Sequence, residues 1–215
     1  SGDVDEILPG LLEGRQRIYF CVGADPEFDR RVMAWVHEVR TRIGSDGHPP
    51  HEFVDIGHLL HDARLVKSPA EQRMMREAAR ISAAAHRRAM ERVRPGMNEG
   101  VLEAELFLAF RSGGARAAAY ESIVAGGERA CTMHYVRNDA ELADGELVLV
   151  DAGCEYGGYA ADITRTFPVS GVYAPAQREL YDLVLAAQEA AIAAVRPNRP
   201  FNAPHEAAAR VLTRG

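Results

Sequence analysis

The stretch Leu147–Pro168, LVLVDAGCEYGGYAADITRTFP, constrains the fold more than any other part of the sequence. Alternating apolar residues on both sides of a Tyr-Gly-Gly sequence predict two β-strands joined by a tight turn, with one aspartate on each arm. A two-residue loop at Tyr156-Gly157 would place Asp151 and Asp162 directly opposite each other, whereas a loop at Gly157-Gly158 would place them diagonally. Either register puts both carboxylates on the same face of the hairpin.

The other face of the predicted hairpin is apolar. Its members are Val148, Val150, Ala152, Cys154, Tyr159, Ala161, Ile163 and Phe167, and Arg165 is the one charged residue among them. We therefore expect this face to pack into the core, with Cys154 in a structural role. The opposite face then holds two carboxylates a few ångströms apart.

Two carboxylates at such a separation repel each other, and the repulsion pushes one pKa upward. A divalent cation between them removes the repulsion, so the pair Asp151 and Asp162 predicts a metal site. The alternative is a pair of solvated aspartates that share a face by accident. Strand interiors disfavour Asp, which favours the metal site.

Composition limits the other classes of function. With 215 residues, 47% of them hydrophobic, the chain can build the core of one large domain or two small ones. A net charge of −6 without a basic patch argues against a nucleic-acid partner. No apolar run reaches the length of a membrane span, and no signal peptide opens the chain. Three cysteines without metal or disulfide spacing are typical of a reduced, cytoplasmic protein.

The rest of the chain alternates predicted helices and strands. The early part predicts a strand at Arg17–Gly23, a helix over 26–43, a polar loop at 44–50 and a short strand at Phe53–Ile56. The later part predicts helices over 69–94, 99–112 and 175–195, with strands at Tyr120–Ala125 and Cys131–Val136 before the hairpin. The last residues are typical of the middle of a helical protein, and we expect truncation at both ends.

Four segments together resemble a known family. They are RLVKSPAEQRMMREAARI, RPGMNE, YESIVAGGERACTMHY and LADGELVLVDAGCEYGGYAADITRTFPVSG. They are similar to the Xaa-Pro aminopeptidases (aminopeptidase P), which belong to the pita-bread metallopeptidases together with prolidases and methionine aminopeptidases. The resemblance implies an α+β fold, the first half of a pita-bread (creatinase/aminopeptidase-like) catalytic domain at 67–215. It also implies a linker at 51–66 and the C-terminal part of a small α/β N-terminal domain at 1–50.

The resemblance also implies a site. The family holds two divalent metal ions, usually Mn²⁺, with ligands in the order Asp, Asp, His, Glu, Glu. Asp151 matches the first aspartate, and Asp162 matches the second, which would bridge both ions. His134 matches a catalytic histidine that hydrogen-bonds the substrate carbonyl or the tetrahedral intermediate without binding metal. Judged by sequence pattern alone, His134 is more typical of a histidine packed at the end of a strand, whereas the family motif favours the active site.

Three functions follow from the resemblance. The first is a metal-dependent aminopeptidase that releases the N-terminal residue preceding proline from peptides, as a homo-oligomer (dimer or tetramer) at full length. The second is a prolidase that acts on Xaa-Pro dipeptides, and the third is a non-catalytic binding module. Retention of Asp151 and Asp162 argues against the third. The later His, Glu and Glu have no counterpart in this sequence, so we expect this chain alone to bind metal weakly and to be inactive.

Overall fold

The computed structural model describes residues 2–42 and 48–215, with side chains from residue 4 onward. The chain forms two compact units, Ser1–Ser68 and Pro69–Gly215. Position 43 of the predicted helix 26–43 and positions 44–47 of the predicted loop 44–50 lie outside the described residues. Within the described ranges, no helix is both long enough and apolar enough to cross a membrane.

The first unit is a small α/β arrangement. Its elements are α1 (Gly2–Leu12), β1 (Arg17–Phe20), α2 (Pro26–Arg42), β2 (Glu52–Asp55) and α3 (Gly57–Leu65). The two strands pair in parallel, and Phe20, Val32 and Trp35 form its buried core. Residues 51–66, interpreted from the sequence as a linker, carry β2 and α3. The parallel pairing of β2 with β1 places them in this unit.

Three of the four helices of the second unit begin at the positions that the sequence predicts, 69, 99 and 175. The four helices are α4 (Pro69–Arg92), α5 (Glu99–Ser112), α6 (Pro175–Ala194) and α7 (Ala203–Leu212). The side chain of Asn98 accepts a hydrogen bond from the Gly100 N–H and caps α5. Four small residues of α4 that are fully or almost fully buried, Ala78, Ser82, Ala85 and Ala89, let this helix lie close to its neighbours.

The strands of the second unit form two antiparallel sheets of three strands. One has the order β3 (Ala117–Ala118), β6 (Cys154–Tyr156), β7 (Tyr159–Ala160). The other has the order β4 (Ile123–Gly126), β5 (Leu147–Asp151), β8 (Thr164–Pro168). The predicted hairpin therefore exists, but each of its arms is divided between the two sheets instead of forming one continuous strand.

The register of the hairpin matches the diagonal alternative. Tyr156 pairs with Tyr159, so the loop is Gly157-Gly158, and both glycines have the positive φ (59° and 84°) that tight hairpin turns require. Asp151 pairs with Thr164, two residues beyond Asp162. Where the arms leave one sheet for the other, two backbone hydrogen bonds keep them paired, from the Ala152 N–H to the Ile163 carbonyl (3.1 Å) and from the Ala161 N–H to the Cys154 carbonyl (3.0 Å).

The predicted strand at Cys131–Val136 is wrong. Residues Gly127–Cys131 form a short 3₁₀-helix, and the residues that follow are turn and irregular chain. His134 and Asn138 adopt positive φ (54° and 46°), which an extended strand does not allow. Hydrogen bonds from Arg129 and Tyr135 to the carboxylate of Glu99 hold this segment in its irregular course.

The core lies between the hairpin and helices α4 and α5. The predicted apolar face of the hairpin supplies Val148, Val150, Ala152, Cys154, Ala161 and Phe167, all buried. Cys154 packs on α4, with its Sγ 3.4 Å from the Ser82 hydroxyl, as expected for a structural residue. Arg165 donates to the Thr164 carbonyl (2.7 Å) and, in the described part of the chain, forms no ion pair.

We predict that Gly153→Ala destabilises the second unit by about 3 kcal/mol or more. Gly153 is buried where β5 gives way to β6, and a Cβ there would lie 1.7 Å from the Ala161 carbonyl oxygen, so the hairpin arms would have to separate. The matched control is Gly145→Ala, where a Cβ meets open space and only the positive φ of 78° opposes the change. The control should cost about 1 kcal/mol. Urea unfolding followed by circular dichroism measures both, and equal losses would contradict the packing account.

Candidate metal centre

The structure brings the two predicted aspartates together. Asp151 is the last residue of β5, and Asp162 lies in the short segment between β7 and β8. The hydroxyl of Tyr120 lies 2.7 Å from Asp151 Oδ1 and 3.2 Å from Asp162 Oδ1. The two carboxylate oxygens therefore cannot be farther apart than these two distances together. The same-face placement expected from the sequence is present, reinforced by a tyrosine that the sequence reasoning missed.

Tyr120 can satisfy only one of the two carboxylates at a time, because its hydroxyl carries a single proton. The shorter distance assigns that proton to Asp151. Burial, followed by the hydrogen bond to Asp151 and the two negative charges, raises the pKa of Tyr120 far above its ordinary value. The tyrosine is thus a neutral hydrogen-bond donor at physiological pH. It therefore does not neutralise the negative charge of either aspartate.

The two aspartates have no basic ion-pair partner among the residues that the structure describes. Two convergent carboxylates without a basic partner are hard oxygen donors of the kind that Mn²⁺, Mg²⁺ and Ca²⁺ prefer. The side chains present therefore fit a divalent ion, and metal binding by this pair stays a prediction.

The pair is only part of a ligand set. The described residues contain no group of three or more His, Cys, Asp or Glu side chains arranged to hold a metal ion. Structural and catalytic metal sites in proteins use at least three protein ligands as a rule. Further ligands must join Asp151 and Asp162 if the site is to bind metal tightly.

His134 lies on an exposed turn after the 3₁₀-helix, not at the end of a strand. The interpretation as a packed strand-end histidine is therefore wrong, since the side chain is exposed. In the described part of the chain, no hydrogen bond joins the imidazole to Asp151 or Asp162. Its catalytic role stays a prediction, and the imidazole is free to meet a ligand from solvent.

A buried carboxylate, also missed by the sequence reasoning, holds the loop that carries His134. Glu99, the first residue of α5, is fully buried and accepts hydrogen bonds from the Gly126 and Ala140 N–H groups, Arg129 Nε and the Tyr135 hydroxyl. An acidic residue after an N-cap is common in helices, so the sequence position of Glu99 gave no signal of this role.

The sequence position of Tyr120 gave a weak signal of a site role, because Tyr120 opens the family-like segment that ends at Tyr135.

An open cleft of about 460 Å³ adjoins Tyr120. Phe107, Phe110 and Tyr120 supply its aromatic wall, and Glu103 and Glu121 add two carboxylates. The cleft gives a partly apolar surface beside Tyr120, and neither Asp151 nor Asp162 lines it.

Comparison with known proteins defines the class. The profile of metallopeptidase family M24 matches residues 73–215, which is most of the chain and nearly all of the second unit. The chain belongs to this family, and its fold is the expected first half of a pita-bread domain.

The individual relatives are aminopeptidases. The chain is 43% identical over 195 residues to the Xaa-Pro aminopeptidase of Escherichia coli, covering 91% of this chain and 44% of that protein. It is 45% identical over 164 residues to the Xaa-Pro aminopeptidase of Haemophilus influenzae, covering 76% of this chain and 38% of that protein. The chain therefore spans less than half the length of these relatives.

Solved structures of aminopeptidases have the same fold as this chain over nearly its whole length. The aminopeptidase PepP of Pseudomonas aeruginosa superposes with a TM-score of 0.95 at 54% identity, covering 99% of this chain and 48% of that one. A variant of Escherichia coli aminopeptidase P, solved in complex with substrate, superposes with a TM-score of 0.93 at 40% identity and the same coverage.

We predict that Tyr120→Phe weakens Mn²⁺ binding by the full-length protein about tenfold, because the aspartates lose the donor that orients them. Isothermal titration with Mn²⁺ measures the change. The matched control is Tyr173→Phe, which removes a tyrosine hydroxyl bonded to the Thr166 carbonyl and leaves the aspartates untouched. Equal affinities for wild type and Tyr120→Phe would show that the hydroxyl does not organise the pair.

Proposed function

We propose that this chain forms the first half of the catalytic domain of a metal-dependent aminopeptidase that releases the N-terminal residue preceding proline. The observation that carries the proposal is the convergence of Asp151 and Asp162 on one tyrosine hydroxyl, in a chain of a metallopeptidase family. The names of the Escherichia coli and Haemophilus influenzae relatives support the substrate class.

Asp151 and Asp162 would hold two divalent ions, with Mn²⁺ favoured by their hard oxygen donors. Asp162, the more exposed of the two, would be the ligand that matches the family's second aspartate. A pair of ions in this position would supply an activated water and a polarised carbonyl, the chemistry that peptide hydrolysis needs. Tyr120 would keep its proton and hold Asp151 in the orientation seen here.

His134 would hydrogen-bond the substrate and would not bind the metal ions. An imidazole N–H can donate a hydrogen bond to the carbonyl oxygen that becomes negatively charged during attack. Its exposed turn leaves the ring accessible to a peptide, which supports this role. The positive φ of His134 (54°) sets the direction in which the side chain leaves the loop.

The remaining ligands implied by the family, a histidine and two glutamates, would come from residues outside these 215. Two aspartates alone form too small a ligand set to hold a dinuclear site, so this chain by itself should bind metal weakly and show little turnover. The homo-oligomeric state and the cytoplasmic location are further proposals that await measurement.

The prolidase alternative differs in how much peptide the site accepts beyond proline. The relatives favour the aminopeptidase, because those compared above carry that name. A non-catalytic binding module is disfavoured by the preserved aspartate pair. Comparing turnover of an Xaa-Pro dipeptide with that of a longer Xaa-Pro peptide separates the first two functions.

We predict that Asp162→Asn in the full-length protein lowers kcat/KM for an Xaa-Pro peptide at least about a hundredfold. Loss of an outer partner of a metal site already costs 10–100-fold, and a direct ligand must cost more. Asp144→Asn is the matched control, since Asp144 is an exposed turn residue whose carboxylate accepts, among the described residues, one hydrogen bond, from its neighbour, the Gly145 N–H. The control should stay within twofold of wild type, and an equally active Asp162→Asn would refute the proposed metal ligand.

A further inference from the structure

The carboxylate of Glu99 is the fully buried acidic group of the second unit that the proposed reaction does not use. Its Oε1 accepts from the Gly126 N–H (2.9 Å) and Arg129 Nε (2.8 Å). Its Oε2 accepts from the Tyr135 hydroxyl (2.8 Å) and the Ala140 N–H (3.1 Å). Burial alone raises the pKa of Glu99, but these four hydrogen bonds outweigh burial and hold its pKa below the ordinary value. The group is therefore ionised and fully satisfied.

The four donors come from both sides of one loop. Gly126 ends β4 and Arg129 lies in the 3₁₀-helix, so both precede His134. Tyr135 and Ala140 follow it. Arg129 and Tyr135 thus meet at the two oxygens of a single carboxylate and close the neck of the loop 129–135.

The tip of this loop has little else to hold it. Met133 is 84% exposed, and Cys131, Thr132 and His134 are also exposed. Among the described residues, no side-chain hydrogen bond involves Thr132, Met133 or His134. The direction in which His134 projects therefore depends on the neck that Glu99 closes.

The chain segments on both sides of the loop are held by hydrogen bonds that do not involve the Glu99 carboxylate. The Glu99 N–H donates to the Ala140 carbonyl (2.8 Å), and Asn98 Nδ2 donates to the Asp139 carbonyl (2.8 Å). The buried side chain of Asn138 bonds both the Val124 N–H and the Ser122 carbonyl. A variant that opens only the neck should therefore leave the hairpin, β4 and α5 in place.

We propose that Glu99 is a positioning residue that sets the orientation of His134 by closing the neck of the loop 129–135. The inference rests on the proposed peptidase function, because His134 must act on the substrate for its orientation to matter. The carboxylate itself touches no reacting atom. It acts at a distance by fixing the backbone on both sides of the histidine.

The decisive test is a double-mutant cycle in the full-length, Mn²⁺-loaded protein. Tyr135→Phe removes one donor to Glu99 and keeps the ring, so folding should survive. With His134 present, the variant should lose about tenfold in kcat, with KM within twofold of wild type. In a His134→Ala background the same substitution should change kcat by less than twofold, because the residue it positions is gone.

Tyr173→Phe is the matched control, as it removes one tyrosine hydroxyl bond far from the loop in sequence and should leave kcat unchanged. An equal loss from Tyr135→Phe in both backgrounds would mean a general structural role and would overturn the inference while leaving the peptidase function intact. An inactive wild type would overturn the function and the inference together.

Hydrogen exchange supplies a readout that does not depend on activity. Glu99→Gln replaces one acceptor oxygen with a donor, so exchange of the Gly126 and Ala140 amides should accelerate about tenfold or more. Glu128→Gln, an exposed residue of the same loop region, is the control and should leave both amides unchanged. Unchanged protection in Glu99→Gln would overturn the claim that this carboxylate holds the loop.

Discussion

The antiparallel pairing of β5 with β8 decides where both aspartates lie. A shift of one residue in this register would exchange the two faces of one arm, moving one aspartate toward the core and an apolar side chain toward solvent. The Gly157-Gly158 turn and the backbone hydrogen bonds at Ala152 and Ala161 oppose such a shift. The buried face that includes Val148 and Val150 opposes it as well, since it must stay dry. The position of the carboxylates is therefore a consequence of core packing.

Much of the hairpin could be predicted because alternation of apolar residues is a local signal. The shared face of the two aspartates and the burial of Cys154 follow from it, whereas the choice between the two turn registers does not. The division of the hairpin between two sheets could not be predicted, because it depends on the close approach of Gly153 to Ala161. The failure at Cys131–Val136 has a similar cause. A run with strand-like composition is held in an irregular course by Glu99, which lies more than thirty positions earlier.

The residues of the candidate site lie on two different kinds of structure, a packed hairpin and an exposed loop. Asp151 and Asp162 lie on the hairpin that packs into the core, whereas His134 lies on an exposed loop held by the contacts of Glu99. Tyr120, in the segment between β3 and β4, connects the two aspartates because its hydroxyl contacts both of them. Neither Tyr120 nor Glu99 has a sequence position that reveals its contacts. Both needed the fold to be known.

The most direct test of this account is the metal content of the full-length protein, counted per chain by elemental analysis after reconstitution with Mn²⁺, with an intact mass on the same sample. The convergent aspartates, together with the ligand set that the family resemblance implies, predict two ions per chain at full length and a substoichiometric amount for a chain of 23.5 kDa. A full-length protein that binds no metal after reconstitution would contradict the account. The aspartate pair would then be a solvated feature of the hairpin.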